Sequence, residues 1–373
     1  MTRPLRILNL FTILNRGGAE TMVMNYYRAL DKTQVQFDFM VHREERGAYE
    51  DEIEAMGGRI YRMCPIYPQN IGRYQQLLKT FFDEHPEYQI LHSHMSELGY
   101  FAFKEAARHH VPVRICHAHN IPVFRNETFT EKLKRLPREI LARLITPLST
   151  DYFACSKGAG EWLFGKQKQA VILNNAIDTA QFVYNPELSA AVRAQYGWTG
   201  KLVVGHVGRF CPQKNHLFLL DIFFHIQQEV PESVLVLVGD GELRTEIVRK
   251  IAALHLEQKV VLMGSVSEVH RLYQAFDLFL FPSLYEGFGN VLLEAQAAGL
   301  PSFTTKDTVP QQACISPLLH YLPLSDSAEQ WKDAVLQYRN HPRENMYQAV
   351  LDHHFDIAQN ASWLAAYYQN SLP

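Results

Sequence analysis

The five cysteines, Cys64, Cys116, Cys155, Cys211 and Cys314, are scattered and form no Cys-x-x-Cys pair. An odd, dispersed set argues against a disulfide framework and a thiolate zinc site, and points to reduced thiols in a cytosolic protein. Long apolar runs are also missing, since no stretch approaches the roughly 20 residues needed to cross a bilayer. The opening apolar segment, Leu5 to Phe11, is too short for a signal peptide and reads as a first strand. Neither sign of charge dominates, and a formal net charge of −3 speaks against nucleic acid as a general partner. Low-complexity tracts and internal repeats are absent. So is Gly-x-Gly-x-x-Gly after the first strand, which disfavours an oxidoreductase.

What is present is enough chain for two cores. A length of 373 residues suggests two domains, and 47% apolar with 20% charged residues is ordinary globular composition. Strand-like runs alternate with helical patterns throughout, the mark of an α/β fold with parallel sheets. Expected strands in the first half are Leu5–Phe11, Gln36–Val41, Arg59–Met63, Ile90–Ser93, Val113–His117, Tyr152–Cys155 and Ala170–Leu173. In the second half they are Leu202–Val207, Ser233–Val238, Lys259–Met263, Leu278–Phe281 and Pro301–Thr304. Expected helices include Ala19–Leu30, Asn215–Glu229, Glu242–Leu254 and Val269–Ala275. The strands are continuous apolar runs, as needed where helices cover both faces of a sheet. Two doubly wound domains follow, joined near Asn175 to Pro186, and ligands in such folds sit at the carboxyl ends of the strands.

The densest of these strand ends is Tyr285-Glu286-Gly287-Phe288-Gly289-Asn290-Val291-Leu292-Leu293-Glu294. A glycine turn running into a helix N-terminus suits an anion, because free backbone N–H groups and the helix dipole point at it. Carboxylates beside such a place would repel phosphate, so sugar hydroxyls are their natural partners. A nucleotide-sugar, with a pyrophosphate between two polyols, satisfies both demands. Earlier, Val203 to Arg209 is a strand that delivers an arginine at its end, and Lys214 follows five residues later. Such a cation pair can neutralise charge on a departing diphosphate, although most Arg and Lys are merely exposed. Gly239, in Val238-Gly239-Asp240-Gly241, either passes close to a nucleotide or belongs to a turn in which Asp240 caps the next helix.

In the first half, Gly17 and Gly18 follow the first strand and allow a sharp turn or close ligand approach. His92 and His94 follow one strand, and His117 and His119 end another. Carboxylates at ligand spacing are lacking there, so a metal is the weaker reading. A strand-end histidine that hydrogen-bonds a sugar or shuttles a proton is the stronger one. Residues 1–180 hold 23 Lys+Arg against 20 Asp+Glu, while residues 181–373 hold 13 against 19, which agrees with an anionic surface facing the first half. Within Thr130 to Leu148, basic residues alternate with apolar ones at helical spacing past Pro137, taken as a first helical residue. This is either a membrane-surface helix or a solvated helix packed on the core.

Together these segments resemble the retaining glycosyltransferases of family four, which have the GT-B fold. The resemblance covers nearly the whole chain and rests on Arg209, Lys214, Glu286 and Glu294 in that order after strands. It also rests on Glu286-Gly287-Phe288-Gly289, Glu294-Ala295-Gln296-Ala297-Ala298-Gly299-Leu300-Pro301 and His117-Ala118-His119-Asn120, which are similar to capsular and exopolysaccharide members. It implies two Rossmann-like domains facing across a cleft. Residues 1–180 bind the acceptor and are completed by a last helix at about 356–373, and residues 181–355 bind the nucleotide-sugar. By the same resemblance, Gly17 and Gly18 line the donor and acceptor site, and Arg209 and Lys214 hold the pyrophosphate without a metal. Glu286 meets hydroxyls of the moved sugar. The backbone of Gly287, Phe288, Gly289 and Asn290 approaches the phosphates, and Glu294 accepts from the ribose. The cleft histidine falls at His119, with His117 second. Ala176 and the stretch Val309-Pro310-Gln311-Gln312 depart from the family pattern, in a glycine and an acidic residue respectively.

The implied reaction is retaining transfer from a nucleotide-sugar, by default UDP-linked, to a glycan or polyprenyl-pyrophosphate-linked saccharide in bacterial polysaccharide biosynthesis. It needs no cofactor. The implied location is the cytoplasm, peripheral to the cytosolic face of the inner membrane. Two rivals share the fold: a nucleotide-sugar epimerase, and a non-catalytic nucleotide-sugar-binding partner of an assembly complex. The second would usually lose Arg209, Lys214 or Glu294.

Overall fold

The computed structural model describes residues 3–119 and 129–373, with the side chains of all these except residues 129–136. The chain divides into two compact units, residues 1–176 with 354–373, and residues 177–353.

The first unit holds seven parallel strands: β1 (Leu5–Phe11), β2 (Val35–Val41), β3 (Ile60–Arg62), β4 (Ile90–Ser93), β5 (Val113–Ala118), β6 (Asp151–Ala154) and β7 (Val171–Ile172). Their order is β3-β2-β1-β4-β5-β6-β7. Successive side chains on a strand face opposite ways, so Ile7, Phe37 and Phe39 enter one core layer while Leu8, Leu10 and Met40 enter the other. Every residue of β2 is buried, including Asp38. Its carboxylate accepts from Arg6 Nε and from the Tyr88 hydroxyl, each at 2.6 Å, which is what permits a charge there.

The second unit has six parallel strands: β8 (Leu202–Val207), β9 (Ser233–Val238), β10 (Val260–Gly264), β11 (Leu278–Phe281), β12 (Ser302–Thr305) and β13 (Leu319–Leu322). They run in the order β10-β9-β8-β11-β12-β13. In each unit the chain crosses over from one side of its first strand to the other. Crevices therefore open at the carboxyl ends between β1 and β4, and between β8 and β11.

Strand β13 is absent from the sequence expectation. It lies at a sheet edge and is fully buried only at Leu319, so His320 and Tyr321 break the apolar run that marks inner strands. The helical reading around Pro137 is corrected as well. The helix runs from Phe129 to Ile145 and carries Pro137 in its interior. Pro137 is exposed, while Ala142 and Ile145 are buried one face away and anchor the helix despite the missing N–H. Ile140 and Leu144 are exposed on this helix, and Arg138 is tied to the buried Glu97. Of the basic run, Lys132, Lys134 and Arg135 lie outside the described side chains. Among the described residues no helix is long and apolar enough to cross a membrane.

The last helix, Ile357–Asn370, starts where Asp356 accepts from the Gln359 N–H at 3.0 Å. Its buried stripe of Ile357, Ala361, Leu364 and Tyr368 follows helical spacing and packs into the β1–β2 core layer of the first unit.

Candidate active site

In the second unit the predicted residues gather at the carboxyl ends of β8, β9 and β11. Arg209 leaves the end of β8 exposed, with no ion pair among the described residues. Lys214 ends a short turn, Pro212–Lys214, and its ammonium lies 2.6 Å from Glu286 Oε1, across 72 residues of sequence. The same ammonium sits 4.7 Å from the centre of the Phe281 ring, which supplies a cation–π contact. Glu286 Oε1 also accepts from the Ser283 hydroxyl at 2.5 Å. Its Oε2 has no hydrogen bond among the described residues and keeps its acceptor capacity.

Backbone lacing holds this arrangement. Leu284 N donates to Gln213 O at 2.8 Å, and Glu286 N to Thr308 O at 3.0 Å. Beneath Lys214, His206 and His216 are buried with ring centres 4.6 Å apart. Burial and the nearby cation hold both imidazoles below their ordinary range. A neutral base under Lys214 adds no competing charge.

Gly239 joins the β9 end to the β8 end. Its φ is +137°, and a Cβ there would lie 2.1 Å from the Gly208 carbonyl oxygen. Gly208 N donates to Val238 O and Phe210 N to Asp240 O, both at 2.9 Å. Asp240 Oδ1 accepts from Gly241 N at 2.8 Å, and the following helix, Arg244–Ala253, has no side-chain cap. Of the two expectations for this turn, direct capping by Asp240 is therefore not what is built.

Gly289, at φ +88°, turns the chain into the helix Asn290–Ala297, whose start also lacks a side-chain cap. A Cβ at Gly287 would meet no protein atom within 4 Å, so packing does not require glycine there and space is left for a ligand. Glu294 Oε2 accepts from the Tyr273 hydroxyl at 2.8 Å. Burial pushes the Glu294 carboxyl up to about 7, against the lowering effect of that hydrogen bond. Both acids are thus partnered in the protein itself, Glu286 by a cation and Glu294 by a phenol.

In the first unit Gly17 precedes the uncapped helix Gly18–Ala29. A Cβ on Gly18 would meet nothing within 4 Å, whereas one on Gly17 would press on the Glu20 carboxylate. The four strand-end histidines form one stack. His92 lies 4.3 Å from His94, and His117 4.0 Å from His119, ring centre to ring centre. His92 Nδ1 is 2.7 Å from the Tyr368 hydroxyl, and its Nε2 is 3.2 Å from His117 Nδ1. His94 Nδ1 is 2.8 Å from His119 Nε2.

His117 is fully buried, while His119 keeps partial exposure, so His119 is the member able to meet a ligand. Burial lowers His92 and His119 to about 3, and holds His94 and His117 well below the ordinary histidine range. A ring that stays neutral at physiological pH suits a hydrogen bond to a hydroxyl better than proton shuttling. One nitrogen each of His92, His94 and His117 lies within 4.8 Å of the others. The planes of these three rings lie 16° to 45° apart. Asn120 and its successors to residue 128 lie outside the described residues.

Several members of both clusters escaped the sequence reading. Ser283, just past the end of β11, could have been found by the strand-end rule. Tyr273 and Tyr368 reach their partners only through the fold, as does Asn9, whose Oδ1 lies 3.2 Å from His94 Nε2.

Residues 16–181 match the family described as Glycosyltransferase Family 4, and residues 201–339 match Glycosyl transferases group 1. The putative glycosyltransferase EpsF of Bacillus subtilis is 33% identical, over 98% of this chain and 97% of that protein. An Escherichia coli enzyme, UDP-Gal:alpha-D-GlcNAc-diphosphoundecaprenol alpha-1,3-galactosyltransferase, is 29% identical over 58% of this chain and 57% of its own length. Among solved structures, HepE of Anabaena in complex with UDP superposes with a TM-score of 0.78 at 20% identity, covering 98% of this chain and all of that one.

Proposed function

Because the chain belongs to glycosyltransferase family 4, with a GT-B fold and a setting in polysaccharide biosynthesis, we propose that it moves a sugar from UDP to a lipid-linked glycan with retention. The observation that carries this reading is the Lys214–Glu286 pair at the β8/β11 switch point, beside the exposed Arg209. Lys214 and Arg209 offer two cations to a diphosphate whose charge grows as it leaves. Glu286, balanced by Lys214 and Ser283, offers Oε2 to a hydroxyl of the transferred sugar. The uncapped helix start after Gly289 offers backbone N–H groups to the phosphates, and Glu294 offers its carboxylate to the ribose. His119 accepts from a sugar hydroxyl. No residue is asked to form a covalent bond, so retention follows a front-face route in which the leaving phosphate assists the incoming hydroxyl.

Support for UDP comes from the complexes of the structural neighbour and from the UDP-Gal donor in the name of the Escherichia coli relative. That relative's name also carries a diphosphoundecaprenol acceptor, which supports a lipid-linked saccharide presented at the cytosolic membrane face. In this reading Lys214 and Arg209 neutralise the diphosphate, and the proposal asks for no metal.

Titration calorimetry against UDP, GDP and ADP sugars tests the donor. The expected outcome is saturable binding of a UDP-sugar, unchanged by EDTA, with turnover that requires an acceptor. Preference for GDP or ADP, strict dependence on a divalent ion, or release of an altered free nucleotide-sugar without acceptor would each sink this reading.

Glu294 adds a pH signature. Its carboxyl is raised to about 7 in the free protein, so below that pH the ribose must displace a proton to find an ionised acceptor. UDP-sugar Kd is therefore expected to be flat above about pH 7 and to rise as pH falls below it, by at most about tenfold per unit. Glu294→Gln should remove the slope. A slope that persists in that variant would place the titrating group elsewhere.

A further inference from the structure

We propose that Asn9 and His94 are positioning residues that hold His119 in its Nε2–H tautomer, leaving Nδ1 as a fixed acceptor for a substrate hydroxyl. The argument starts from Asn9, within β1 and fully buried. Its Nδ2 faces two backbone carbonyls, Ile7 O at 3.3 Å and Asp38 O at 3.4 Å. Carbonyls only accept, so the amide nitrogen must be the atom on that side and Oδ1 must be the atom facing His94 Nε2, 3.2 Å away. An amide oxygen also only accepts. His94 Nε2 therefore carries the hydrogen.

His94 is buried, stacked on Phe11 at 4.6 Å with planes 10° apart, and surrounded by three further imidazoles. A second proton on it has no counter-ion among the described residues, so its Nδ1 is a bare acceptor. The group at that acceptor is His119 Nε2, at 2.8 Å, which must donate. One backbone-anchored amide thus dictates the proton positions of two rings in series. His119 ends as Nε2–H with Nδ1 unprotonated.

The consequence is chemical selectivity. A neutral ring presenting a lone pair takes a hydroxyl donor and repels phosphate or carboxylate oxygens. The inference rests on His119 as the sugar contact, and it assigns that contact the role of reading a hydroxyl rather than the diphosphate.

Tautomers are read directly by long-range 1H–15N spectra of the full chain carrying 15N-histidine, with His119→Asn and His94→Phe used for assignment. The expected result in the unsubstituted protein is the Nε2–H pattern at both His94 and His119. An Nδ1–H or averaged pattern at His119 would overturn the relay. In Asn9→Leu and His94→Phe, His119 is expected to lose its single tautomer. If it keeps that tautomer in a variant that still unfolds cooperatively, the relay is wrong. The readout needs no substrate, so failure of the relay is distinguishable from failure of UDP-sugar binding by calorimetry.

Discussion

Lys214→Ala is expected to lower kcat by about 10²–10³-fold, the range typical of removing one preorganised group from a developing anion. Two effects combine. The ammonium is lost where the diphosphate departs, and among the described residues Glu286 Oε1 is left with Ser283 alone. An uncompensated carboxylate in a half-buried site then faces the incoming phosphates, so donor binding should weaken as well. Steady-state kinetics with calorimetric Kd measures both. Glu286→Gln in the Lys214→Ala background removes the stranded charge and should recover part of the affinity but little of kcat. Activity within twofold of the parent in Lys214→Ala would show that the diphosphate is held elsewhere.

Gly239→Ala is expected to cost about 2–4 kcal/mol of stability, because positive φ and a backbone collision act together. The obstacle is the Gly208 carbonyl oxygen at 2.1 Å, not the end of a flexible side chain, so relief requires moving the β8 loop itself. That loop carries Arg209, and UDP-sugar affinity should fall with stability. Gly287→Ala is the contrasting case. Its Cβ enters open space, so melting temperature should hold while donor affinity falls if the phosphates pass close to that backbone. Thermal unfolding and calorimetry of the two variants separate packing from ligand approach. An unshifted melting temperature in Gly239→Ala would contradict the close approach of the two loops.

Inner strands were legible because burial on both faces favours apolar side chains, so β1, β4, β8, β9 and β11 stand out as mainly apolar runs with the bounds found in the fold, with Asn9, His92 and His206 buried among them. Edge strand β13 was not, since one open side tolerates His320 and Tyr321. Pro137 misled for a related reason: its local preference for a first turn lost to the anchoring of the helix by Ala142 and Ile145. The candidate donor residues were legible as strand-end cations and acids around a glycine turn. Their partners were not.

By itself, then, the sequence determined the α/β class, the strand ends that hold the candidate residues, and the kind of ligand a glycine turn with two acids can accept. Those properties are local, set by period, burial and backbone freedom. Tertiary structure decided that Glu286 is balanced by Lys214 across 72 residues, that Glu294 is held by Tyr273, and that Asn9 reaches His94 across 85. Each is a contact made only when the packed sheet brings together strands, helices and loops that are distant in sequence, and no spacing along the chain encodes which side chains will meet there.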